Sequence, residues 1–341
     1  MTRLFTDGAE SGDKLRTNAS SSNMSATTSQ KRTGNYSYYL PSGTLNSSYY
    51  GVDLGVNYTE FYARIAYRIE GFTAGGHLFN WRNSAGTTIG SLQVKSFAPL
   101  VIAMYDSTTE RVASANLNVL VNEWHVYEVW VKINGAGVGR FRVKLDGSLV
   151  CDFTGVTNTA GANVSKFYSF VVGVSADAFI DDIAINDTVG AIDNSWCGDG
   201  GVLAALVPIT GAAEYADLIA SAGDAWDCVN EIPANSTDYV YESTVDKKST
   251  YLLSDLAGLP SGASIARVWV EVDALETAAD GDKIATLLRS ATTDAQGADQ
   301  ILTLAYARYL SAEYLVDPAG GEDPTWTEAK VNALQAGAVV R

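Results

Sequence analysis

Between Arg140 and Phe153 the chain carries two short strand-like runs, Arg140 to Leu145 and Leu149 to Phe153, joined around Asp146-Gly147. Asp-Gly is suited to the positive φ angles of a tight two-residue turn, so the segment predicts an antiparallel hairpin. The same period of two appears elsewhere. Phe61, Ala63, Ile65, Tyr67 and Ile69 alternate with Tyr62, Arg64, Arg68 and Glu70, the pattern of a half-buried strand. From Trp124 to Ile133 the apolar stripe is His125, Tyr127, Val129, Val131 and Ile133, and Gly135 to Gly139 then turns the chain.

Phe167 to Val174 and Ala178 to Ile185 predict two further strands. Many short strands separated by turn residues favour a sandwich over a parallel sheet with helices. Hydrophobic residues make up 47% of the sequence and charged residues 18%, with many Thr, Ser, Gly and Tyr, a strand-and-turn composition. At 341 residues the chain exceeds one ordinary domain. The reading is all-β: two consecutive β-sandwich domains at 1–190 and 231–341, joined by a connecting segment at 191–230.

Within that connection, Glu214 to Ala222 is read as a short helical turn. In the second domain strands are expected at Tyr239–Glu242, Ser249–Leu253, Ile265–Val272, Ile284–Arg289 and Leu302–Tyr309. Near the C-terminus Thr325 and Glu328 have the spacing of a capping box, and Gly337 stands where a left-handed terminator is wanted. These predict one helix over Trp326–Ala336 that turns Val331 and Leu334 inward, with Ala338–Val340 adding a closing strand.

The formal charge is −16, from 39 acidic and 23 basic residues, and no run of Lys or Arg interrupts it, which argues against direct nucleic-acid binding. No uninterrupted apolar segment reaches the roughly 18 residues of a membrane helix, and Met1 to Lys14 lacks the apolar centre of a signal peptide. A soluble protein with no membrane insertion is expected. Cys151, Cys197 and Cys228 fit neither a disulfide framework nor a CxxC metal pair, and are read as buried thiols.

The search for chemistry is mostly negative. Glu271, Asp273 and Glu276 are the nearest approach to a pair of glycosidase carboxylates, but the third acid breaks the alternation. Asp181 and Asp182 offer hard oxygen ligands, yet neighbours on a strand point to opposite faces. His77 and His125 have no nucleophile motif beside them, and no phosphate-binding loop is present. No residue is nominated as catalytic, cofactor-binding or metal-ligating, and no cofactor is expected. Tyr38, Tyr39, Tyr49, Tyr50, Tyr62 and Trp81 are candidates for stacking on sugar rings, or else for a core or a subunit interface.

Several stretches resemble the concanavalin A-like (laminin G/lectin/glucanase) jelly roll. They are the opening Phe5-Thr6-Asp7-Gly8-Ala9-Glu10-Ser11-Gly12-Asp13, the strand Gly34 to Leu40, Trp124 to Val129 followed by Gly139 to Gly147, and the closing Phe179-Ile180-Asp181-Asp182-Ile183. The second half, through Trp226 to Pro233, Thr237 to Val240 and Asp323 to Leu334, resembles a domain that follows such jelly rolls in tailed-bacteriophage virion proteins. The tandem resemblance implies a non-enzymatic structural component of a virion, on tail, neck or capsid exterior, made in the bacterial host cytoplasm. It further implies assembly as a homo-oligomer, a trimer among the options, with other virion proteins as partners. The alternative is a carbohydrate-binding adhesin for a host surface glycan, or a glycan depolymerase.

Overall fold

The computed structural model describes residues 3–14, 16, 23–42, 48–70, 76–97, 99–119, 121–158, 163–170 and 177–341. The chain divides into two units, Met1–Leu203 and Ala204–Arg341. The expected connection at 191–230 is shared between them: its first part packs on the first unit, and its later part supplies two short strands and a 3₁₀ turn to the second.

The first unit contains β1 (Arg3–Asp7), β2 (Ser25–Thr27), β3 (Ser37–Leu40), β4 (Tyr49–Tyr58), β5 (Glu60–Glu70), β6 (Gly76–Arg82) and β7 (Thr88–Phe97). It continues with β8 (Leu100–Asp106), β9 (Thr109–Ala113), β10 (Trp124–Lys132), β11 (Gly139–Leu145), β12 (Ser148–Gly155), β13 (Val164–Phe170) and β14 (Asp177–Asn186). Every pairing is antiparallel. One sheet runs β12-β11-β10-β5-β14-β3-β2, with β1 beside β14, and the other runs β4-β13-β6-β7-β8-β9. The two sheets close on one apolar core that includes Phe61, Trp81, Phe141, Tyr127 and Phe167. Trp81 meets the edges of Phe61 and Phe141 at centroid distances of 6.3 and 5.7 Å.

The hairpin expected at Asp146-Gly147 forms, with φ of 48° and 79° at the two turn residues, the mirror-image turn that matches strand twist. The stripe from Tyr127 to Val131 points into the core as predicted. Of the strand expected at Phe167–Val174, residues 171–174 lie outside the described residues. The alternation of β5 is correct, but the strand is buried on both faces: Arg64 is only 3% exposed and Ala66 fully buried.

The second unit contains β15 (Pro208–Ile209), β16 (Ile219–Ala220), β17 (Val240–Tyr241), β18 (Lys248–Leu253), β19 (Glu271–Ala274) and β20 (Lys283–Ser290). After these come β21 (Thr293–Gln296), β22 (Gln300–Ile301), β23 (Ala307–Leu310), the helix α1 (Glu328–Asn332) and β24 (Gln335–Val340). Its main sheet runs β15-β18-β24-β20-β21 with β22 beside β20, and β16-β17 and β19-β23 form separate ribbons. The expected helical turn at Glu214–Ala222 is instead extended, since Ala216 bridges to Ser249 and β16 pairs with β17. The C-terminal helix is one turn long rather than spanning Trp326–Ala336. Its cap is Thr327, whose hydroxyl accepts from the Lys330 amide at 3.2 Å. Gly337 is not a helix terminator but part of β24, where a Cβ would stand 1.9 Å from the Ser249 carbonyl oxygen, so glycine permits the close pairing of β18 with β24.

Candidate functional site: the open face of the β4–β9 sheet

Strands β6 to β9 form an up-and-down meander, and alternation sends one set of side chains into the core and the other outward. Phe79 and Trp81 of β6, Leu92 of β7, Ile102 and Met104 of β8 and Phe167 of β13 belong to the core. A bulge between His77 and Phe79 takes up Leu78, so that His77, Asn80 and Arg82 share the outer face of one strand. Register across the sheet places Tyr168, Asn80, Ser91 and Tyr105 in one row. Lys166, Arg82 and Thr88 form a second row, and His77, Gln93 and Ala103 a third.

Asn80 and Ser91 are buried and make the floor of this face, while Arg82, Gln93, Tyr105, Lys166 and Tyr168 are half-buried above it. Arg82 Nε donates to Asn80 Oδ1 at 2.8 Å, and its guanidinium carbon lies 4.6 Å from the centre of the Tyr168 ring. Tyr49 meets Tyr168 edge-on at 5.4 Å, and Gln93 Nε2 donates to Ser91 Oγ at 2.8 Å. Towards the β9 edge Lys95 pairs with Glu110 at 2.9 Å, and Tyr105 donates to the same carboxylate at 3.1 Å. At the β4 edge Lys166 pairs with Asp53 at 3.3 Å. Burial, aided by the Arg82 charge, holds the His77 imidazole below its ordinary value, so it is uncharged at neutral pH. Burial and the Glu110 carboxylate push the Tyr105 phenol up, which keeps it protonated.

Over β5, β10 and β14 the opposite outer face of the sandwich is covered by the chain itself. Ser195 to Val202 runs across β5, β10 and β14. The Gly198 amide donates to Glu128 Oε1 at 2.8 Å, Arg64 donates to the Gly198 and Asp182 carbonyls at 2.8 and 2.9 Å, and the Ser195 carbonyl accepts from Asn186 at 2.9 Å. Its far end is tied by the Val202 amide to Asp182 Oδ1 at 2.9 Å, and Gly8 leaves room for the Val202 side chain, which a Cβ would overlap at 2.5 Å.

This closure corrects the expectation that Asp181 and Asp182 face opposite ways. A bulge follows Asp181, and Asp182 takes φ of 52°, so both carboxylates turn to the Arg32-Thr33 segment. Asp181 accepts from the Arg32 amide at 3.0 Å, and Asp182 accepts from the Arg32 guanidinium at 2.7 Å and the Thr33 hydroxyl at 2.6 Å. Burial and the neighbouring Asp182 charge raise the Asp181 carboxyl well above the carboxylate range. Among the described residues no group of three or more His, Cys, Asp or Glu side chains is arranged to hold a metal ion.

The aromatic candidates separate by face. Tyr38, Tyr50 and Trp81 are core, with both tyrosine hydroxyls donating to the buried Asp7 carboxylate at 2.9 and 2.8 Å, so none of the three can meet a sugar. Tyr39 packs on Phe179 and Tyr62 stacks on Trp130, both on the other sheet. Tyr49 alone of the six lies on the open face. Glu271 and Asp273 both pair with Arg308, the latter through two contacts of 2.8 and 2.7 Å, which suits a structural ion pair rather than an acid and a nucleophile. His125 is bonded to Asp146 beside the hairpin turn at 2.8 Å. Cys151, Cys197 and Cys228 are unbridged, and burial pushes the Cys151 thiol up to about 12.

Sequence reasoning missed Asn80, Arg82, Gln93, Tyr105 and Tyr168, and read His77 as structural. The signal was present in Leu92 and Val94 alternating with Ser91, Gln93 and Lys95. It was masked by the bulges of β6 and β7, which shift the period by one residue.

No protein-family model matches the chain, and no curated protein matches it. Solved structures do. An endo-β-1,4-glucuronan lyase from the fungus Trichoderma reesei aligns over 57% of this chain and 100% of its own length, at 14% identity and a TM-score of 0.43. The alginate lyase Aly36B aligns over 45% of this chain and 80% of its own, at 14% identity and a TM-score of 0.36. A Bacillus subtilis protein of unknown function with a galectin-like fold covers 55% and 96% respectively, at 11% identity and a TM-score of 0.38. At such identities the likeness is one of fold, a lectin-like jelly-roll sandwich. It nevertheless corrects the expectation of a non-enzymatic structural component of a bacteriophage virion. Two of these three structures are polysaccharide lyases, and none is named as a virion protein.

Proposed function

We propose that the first unit binds an acidic polysaccharide laid along the open face of the β4–β9 sheet. The observation that carries the reading is the convergence of His77, Asn80 and Arg82 from one strand with Lys166 and Tyr168 from the next, on the face that the Ser195–Val202 segment does not cover. Amide and hydroxyl groups suit sugar hydroxyls, and the Tyr49 and Tyr168 rings suit the apolar side of a pyranose. Arg82 and Lys166 suit a carboxylate, and in a chain of charge −16 an anionic ligand is held only where cations are concentrated.

Affinity electrophoresis through gels containing alginate, glucuronan or a neutral glucan tests this. Retardation is expected in the acidic gels. Arg82→Ala is expected to weaken it about tenfold or more, the scale of a lost charge-assisted hydrogen bond. Leu149→Ala, at an exposed position of the other sheet, leaves it unchanged. Equal mobility of the wild type in all gels would sink the proposal.

A second reading, cleavage of the bound chain, is favoured by His77, an uncharged base on the same face as the Arg82 guanidinium. Eliminative cleavage leaves an unsaturated sugar that absorbs in the ultraviolet. Such product, lost in His77→Ala while retardation persists, is the expected result.

A further inference from the structure

The outward positions of β11 are Arg140, Arg142 and Lys144, with Lys132 of β10 in register with Arg140. Side chains two residues apart on a strand stand roughly 6.6 Å apart, so the three cations of β11 make a row of about 13 Å. They lie over aromatic rings. Trp130 stacks on Tyr62 at 5.6 Å, the Arg142 and Arg140 guanidinium carbons are 5.2 and 5.6 Å from its ring centre, and Lys144 Nζ is 4.2 Å from that of Trp196. Asp152 neutralises part of the charge, at 2.9 Å from Arg142 and 3.4 Å from Arg140, and Glu60 pairs with Lys132 at 3.2 Å. The Arg140, Arg142 and Lys132 side chains keep 32, 30 and 42% of their exposure, and Leu149, opposite Lys144 on β12, is half exposed.

Arginine and tryptophan are among the residues that dominate protein–protein contacts, and the exposed Leu149 adds apolar area beside them. A sugar finds little here to stack on, because Tyr62 and two guanidinium groups already occupy the Trp130 ring. The chain itself holds a unit of opposite net charge. The second unit has 21 acidic and 8 basic residues, a net −13, which leaves 18 acidic and 15 basic residues in the first, a net −3.

We infer that the Arg140-Arg142-Lys144 face docks the acidic second unit of another copy of this chain. The contact joins unlike surfaces, so it propagates head to tail and closes into a ring where geometry allows. It is independent of the glycan reading and uses the other side of the sandwich.

Sedimentation velocity of the full chain at about 50 mM and about 500 mM salt reads it, since charges of this exposure are screened at the higher value. The wild type is expected to sediment as a multimer at low salt and as a single chain at high salt. The triple variant R140E/R142E/K144E is expected to sediment as a single chain at both, with unchanged far-ultraviolet circular dichroism. K132E, on a side chain more exposed than those of Arg140 and Arg142, shows the same loss in smaller measure and serves if the triple variant misfolds. A monomeric wild type at low salt overturns the inference, and so does a multimer that survives either 500 mM salt or the substitutions. If the wild type is monomeric and the triple variant loses retardation in acidic polysaccharide gels, the face is a second glycan contact and the inference is equally overturned.

Discussion

The two outer faces of the first sandwich are built from the same alternating strands and meet different fates. On one, β5 presents Arg64 outward, and the Ser195–Val202 segment returns to cover it, bonding Arg64, Glu128 and Asp182. On the other, β6 presents His77, Asn80 and Arg82 outward, and Arg82 finds its partners, Asn80 and Tyr168, within the same sheet. Alternation therefore decides which side chains enter the core and leaves undecided what becomes of the rest. A buried outer face needs each polar group bonded by the covering chain, whereas an open one keeps its groups available to a ligand.

The largest effect that would break this contrast is at Trp81, which is fully buried between the sheets. Trp81→Ala is expected to destabilise the first unit by about 4 kcal/mol in urea titration, the cost of a large core cavity. A folded variant of near wild-type stability that lost glycan binding alone would return Trp81 to the ligand side. Next comes the covering segment. Asp182→Ala removes the acceptor of Arg32, Thr33 and Val202, at a cost of about 3 kcal/mol for a broken buried ion pair. Hydrogen exchange at the Gly198 and Val202 amides should accelerate while polysaccharide retardation stays, and an effect confined to the open face would reverse the roles of the two surfaces.

The smallest effect is a pH dependence. Burial raises the Glu10 carboxyl from 4.5 to about 7, against bonds from the Asn35 and Tyr36 amides that lower it. A raised acid binds more protons folded than unfolded, so its contribution is complete below about 4.5 and is lost as pH climbs through about 7. Because the group is partly solvated, the change is on the order of 1 kcal/mol. Thermal unfolding should occur a few degrees lower at pH 8 than at pH 6, and Glu10→Gln should flatten the slope. A melting temperature that rises over that interval, or a slope unaltered in the variant, would show that the carboxyl is ionised throughout.

Much of the framework was legible in local chemistry. The Asp146-Gly147 turn, the stripe from Tyr127 to Val131 and the strands β5, β14, β18 and β20 follow from residue type and a period of two, because both are short-range properties of the backbone. The helix at the C-terminus was legible in kind but not in length, since pairing of β24 with β18 and β20 claimed Gln335 and Ala336 from it. The meander β6 to β9 escaped because its bulges break the period that reveals a strand.

What the sequence determined by itself is the all-β character, the main hairpin and the inward stripes, each set by contacts a few residues apart. The choice of open face was tertiary. It depended on a segment more than a hundred residues from β5 folding back over one sheet, and on register bringing Arg82 beside Lys166 and Asn80 beside Tyr168. No local pattern encodes such meetings, because the free energy that selects them exists only once both partners are in place.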